Sequence, residues 1–85
     1  MTTQLTARAP ASMRASMTPS QRAFLDVQIA LSAWRAARDA EAQVAHWLTE
    51  GRATHEELGS MRARTKLAHQ AHQRAQRAYR RACGA

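Results

Sequence analysis

From Leu58 to Ala82 the chain carries a stripe in steps of three and four: Leu58, Met61, Thr65, Ala68, His72, Ala75, Tyr79 and Ala82. At about 100° per residue, such steps hold every member on one side of an α-helix, and the period of two that a strand requires does not produce them. The stripe thins from Leu and Met to Ala. Small side chains cover little area, so this seam is useful only where a second backbone comes close. The pattern predicts a helix that lies against another helix, and the partner has to be found in the rest of the chain.

Turn and cap residues supply it. In Thr18-Pro19-Ser20-Gln21 three start signals agree: a hydroxyl N-cap, proline at the first helical position, and a glutamine that completes a capping box. No helix breaker follows before Glu50, and Gly51 is a natural left-handed stop. Thr54-His55-Glu56-Glu57 repeats the box, with two acids at the positive end of the helix dipole. Gly59 costs about 1 kcal/mol against Ala and predicts fraying in the first turns. Gly84 closes the segment.

The reading is therefore all-α: long helices over 19–50 and 55–83, each roughly 45 Å long and joined by about four residues. A link that short forces an antiparallel two-helix hairpin, occupying residues 18–85. Residues 1–17 read as a flexible N-terminal tail, rich in Thr, Ala, Ser and Met, with Arg8 and Arg14 but no acid. The tail has no apolar period and no continuous apolar run of the kind a secretory signal needs.

The first helix projects two apolar faces. One carries Phe24, Val27, Leu31, Trp34, Ala45 and Leu48, and the other Leu25, Ile29, Ala33, Ala36, Ala40 and Trp47. One partner helix covers only one stripe. The second face is therefore a hydrophobic interface, either the seam of a homodimer that forms a four-helix bundle or a docking face for another protein, and the homodimer is the simpler solution. Trp34 is expected in the hairpin core and Trp47 as the anchor of the interface. On the second helix Leu67, Ala71 and Ala78 lie opposite the seam as a fainter contact.

Charge bounds the partner. The net charge is +7, and twelve of the thirteen basic residues are arginine. Folding about Arg52 sets Asp39 and Glu41 level with Arg62, Arg64 and Lys66, which predicts exposed ion pairs worth a few tenths of a kcal/mol. Glu50, Glu56 and Glu57 make the turn acidic. Arg74, Arg77, Arg80 and Arg81 make the open end basic, with Asp26 as the one nearby acid.

The candidate binding face comprises Arg62, Lys66, Arg74, Arg77, Arg80 and Arg81, interleaved with Gln70 and Gln73. Arginines at this spacing suit an acidic surface on a protein or nucleoprotein partner. The alternative is direct, sequence-nonspecific binding of DNA or RNA through the phosphate backbone. No helix-turn-helix, zinc or glycine-loop motif is present to read bases. In shape alone, a hairpin pair with such a ribbon resembles the plasmid copy-number regulators of the Rop type, which bind paired RNA loops.

Chemistry is harder to find. His69 and His72 share a helix face but have no local Cys, Asp or Glu to complete the three or four ligands zinc takes, so no metal is expected. His72, on the seam, is expected near Ser32 or Trp34. Cys83 lacks a neighbouring base and is the one cysteine, which precludes an internal disulfide and suggests a reducing, cytoplasmic setting. No catalytic residues and no cofactor are expected. No segment approaches the roughly 20 apolar residues that cross a bilayer. The functional expectation is a small basic, non-enzymatic adaptor or inhibitor, of the kind phages and plasmids encode against host nucleic-acid-targeting systems.

Overall fold

The computed structural model describes residues 16–84. Among these residues two long helices, α1 (Pro19–Thr49) and α2 (His55–Gly84), pack along their lengths as a hairpin. No strand occurs among the described residues. The expected tail over 1–17 lies outside them except for Ser16 and Met17, as do Arg8 and Arg14.

Both helix starts form the reciprocal boxes that their sequences predict. The Gln21 backbone N–H donates to Thr18 Oγ1 at 3.2 Å, while the Thr18 N–H donates to Gln21 Oε1 at 2.9 Å. At α2 the Glu57 N–H donates to Thr54 Oγ1 and the Thr54 N–H to Glu57 Oε1, both at 3.1 Å. Each box satisfies two backbone donors that a helix start otherwise leaves to solvent.

The end of α1 is equally well accounted for. Gly51 has φ +73°, the left-handed conformation that avoids a penalty only without a Cβ. Its N–H donates to the Leu48 carbonyl at 3.1 Å, and the Arg52 N–H reaches back to the Trp47 carbonyl at 2.8 Å. This pair of bonds is a Schellman motif. Its usual apolar clasp is here a cation–π contact, with the Arg52 guanidinium 5.5 Å from the Trp47 ring centre. Trp47 thus stays half-buried at the end of the hairpin.

Every member of the predicted α2 seam faces α1. Leu58 (6% exposed) and His72 (7%) are buried, and the other six are half-buried. The facing seam on α1 differs from the expected face. It runs Ala23, Val27, Ala30, Trp34, Ala37, Glu41, Val44 and Leu48, also in steps of three and four, and all eight are half-buried. Leu31 and Ala45 flank it, whereas Phe24 is 51% exposed and reaches α2 only by tilting its ring against Tyr79, 5.9 Å between centres. Small residues dominate because the backbones are close. The Thr65 hydroxyl, bonded to its own-helix Met61 carbonyl at 3.0 Å, also lies 3.3 Å from the Ala37 carbonyl across the gap.

α2 runs through Gly59 from His55, and one local expectation changes. Asp39 and Glu41 form no ion pair with Arg62, Arg64 or Lys66; the charge pairs among the described residues join Glu50 to His46 (3.1 Å) and Arg52 (3.9 Å). The groups are level along the rod but point differently. Asp39 sits near the back of α1, Glu41 lies in the seam, and Arg62 and Lys66 occupy one flank of α2.

Candidate functional site

Trp34 organises the middle of the hairpin. Its ring stacks on His69 (4.3 Å between centres) and His72 (5.4 Å), with Arg38 5.5 Å from its centre. The two histidines that the sequence offers as a metal pair are therefore committed to an aromatic stack. No group of three or more metal-ligating side chains exists among the described residues. At the open end the Tyr79 phenol is held above its ordinary value of 10.0 by a hydrogen bond with Cys83, then by the thiol's charge and by slight desolvation. It remains a neutral phenol near pH 7.

Around this seam the hairpin has two unlike broad sides. In antiparallel right-handed helices, residues displaced in the same rotational sense from the two seams emerge on the same broad side. Displaced one way by about 60–140° are Ile29, Ala33, Ala36, Ala40 and Trp47 of α1 with Leu67, Ala71 and Ala78 of α2. Leu25 lies at the outer edge of that side. Ile29 is 54% exposed and Leu67 64%, while Ala33, Ala36 and Ala40 are also exposed. The separate apolar stripes expected on the two helices thus lie on the same side, interrupted on α2 by the exposed Arg64, Arg74 and Arg81.

Displaced the other way are Arg62, Lys66 and Arg80 of α2 and, unforeseen in the sequence, Arg35 and Arg38 of α1. A shallow depression lined by Arg35, Arg38, Asp39 and Ala42 opens there. The proposed basic face is consequently divided: Arg74 and Arg81 project on the side of Leu67, and Arg77 from the back of α2. All six of its cations are exposed, and none is ion-paired among the described residues. Phe24 lies beside the basic side at the open end.

The signal for Arg35 and Arg38 was in the helical projection, but it becomes usable only once the handedness of the hairpin places α1's flank beside α2's. None of the described helices is long and apolar enough to cross a membrane. No protein family, curated protein or solved structure matches this chain.

Proposed function

We propose that this chain is a non-enzymatic interaction protein, an adaptor or inhibitor, that lays its basic side on an acidic surface of a larger protein or nucleoprotein assembly. The observation that supports the reading is the set of exposed cations on one broad side, Arg62, Lys66 and Arg80 with Arg35 and Arg38, none of them ion-paired among the described residues. Arginine forks bind carboxylates in pairs of hydrogen bonds, and a row spaced along a rod fits an extended acidic face. The opposite, apolar side serves assembly, by dimerisation into a four-helix bundle or by docking on the same partner.

The test uses defined polyanions. Immobilised protein should retain poly-L-glutamate at low salt, and replacing Arg35, Arg62, Lys66 and Arg80 by Glu should abolish retention while the helical circular dichroism is kept. Equal retention by both proteins would remove these cations from the account. The second reading, nucleic-acid binding, is favoured by the exposed Phe24 beside the basic flank. It requires tighter binding of a random duplex, with log K falling by about 0.9 per neutralised phosphate as log salt rises.

A further inference from the structure

We infer that the basic side receives an acidic amphipathic helix of a partner protein, lying as a third helix in the groove between α1 and α2. The inference rests on the function proposed above and names the form of the partner. Along this groove α1 presents Phe24, Leu31 and Ala45, with the Trp34–His69 stack between them. Phe24 is 51% exposed, and Leu31, Trp34, His69 and Ala45 are half-buried, so the line is open to a further neighbour. Positions 24, 31, 38 and 45 recur every seven residues on one flank of the seam, with Arg38 as the one polar member. From Phe24 to Ala45 the line is about 32 Å long, the length of a helix of about 21 residues.

Charge specifies the rest of the occupant. The line is bordered by Arg35 and Arg38 on α1 and by Arg62, Lys66 and Arg80 on α2, all exposed. With Phe24 against Tyr79 and Trp34 against His69, the register brings Arg35, Arg38, Arg62 and Lys66 within about 9 Å of one another along the rod. Neither helix contributes an acid to the flank that carries these cations. The nearest are Glu41, in the seam, and Asp39, which lines the depression beside Arg35 and Arg38. The opposite side mixes Asp26, Glu50 and Glu57 with its arginines and offers no such uniform field. An occupant therefore needs apolar side chains in a stripe with carboxylates on both borders, which is one face of an acidic amphipathic helix. A phosphodiester backbone would satisfy the arginines and leave the apolar line uncovered. One helix of this length covers on the order of 500 Å² of the side, which places the complex among small, transient and salt-sensitive interfaces.

The probe is a peptide of about three heptads with Leu at positions a and d and Glu at e and g. Its like charges oppose pairing with itself, so helical circular dichroism gained on mixing reports the complex. The full chain should bind it at low salt at least tenfold more tightly than the same peptide with Ala at a and d. Replacing Arg35, Arg62 and Arg80 by Glu should weaken binding at least tenfold. The same reversal at Arg64, Arg74 and Arg81, on the opposite side, changes the net charge equally and should weaken it no more than about threefold. Phe24→Ser should weaken binding of the Leu peptide and leave retention of poly-L-glutamate unchanged. Equal affinity for the Leu and Ala peptides, equal effects of the two reversals, or tighter binding of a random duplex than of the Leu peptide would each overturn the inference. Retention of poly-L-glutamate through the basic side, with the two peptides bound alike, would leave the functional proposal standing and remove only this one.

Discussion

Replacing Trp34 by alanine tests the packing of the hairpin most severely. The indole is half-buried in the α1 seam, stacked on His69 and His72 and flanked by Arg38. Half of a tryptophan's surface is on the order of 120 Å², worth about 3 kcal/mol at about 25 cal/mol/Å². The imidazole stacks add about 0.5–1.5 kcal/mol and the guanidinium about 0.5 kcal/mol. The expected loss is therefore about 4 kcal/mol. A domain this small seldom has more than about 3–5 kcal/mol in total. Trp34→Ala should leave the hairpin largely unfolded at room temperature, as judged by urea titration followed by far-UV circular dichroism. Trp34→Phe retains a ring on the histidines and should cost only about 1–2 kcal/mol. If Trp34→Ala lost less than about 1 kcal/mol, the claim that one aromatic stack pins the centre of the rod would fail.

The turn and caps give smaller, sharper expectations. Gly51→Ala should cost about 1–2 kcal/mol from backbone strain alone, because φ is +73° and nothing lies within 4 Å of the added Cβ. A thermal midpoint lower by several degrees would register it. Thr54→Ala should cost about 1 kcal/mol in the same assay and Thr54→Ser much less, since the serine hydroxyl still accepts from the Glu57 N–H.

The hairpin was readable because its punctuation is local. Capping boxes and a left-handed glycine act within a few residues of themselves, so the sequence placed Thr18, Gly51 and Thr54 correctly. The α2 seam was readable because Leu58, Met61 and Tyr79 mark an otherwise weak alanine stripe. The α1 seam was not, because Ala23, Ala30, Ala37 and Glu41 carry no hydrophobic signal of their own. What selects them is the closeness of the other backbone, visible in the Thr65 hydroxyl near the Ala37 carbonyl. Weighting by side-chain size drew Phe24 into the seam, although the helix rotates it outward.

The same kind of limit applies to the surfaces. Sequence spacing grouped Arg74, Arg77 and Arg81 with Arg62, Lys66 and Arg80, but a helix turns about 100° per residue and sends Arg74 and Arg81 to the side of Leu67 and Arg77 to the back. Ion pairs expected from level alone did not form for the same reason. Level is set by the register of the hairpin, and direction by rotation about each axis.

On the proposed assembly one hairpin is only part of the folding unit: among the described residues only Leu58 and His72 are buried, and Ile29 and Leu67 stand in solvent. The thermal midpoint measured over a roughly hundredfold range of protein concentration tests this directly, because association couples folding to mass action. A midpoint that rises steadily with concentration is the predicted result. A midpoint that stays constant, with full helicity in the most dilute sample, would contradict it.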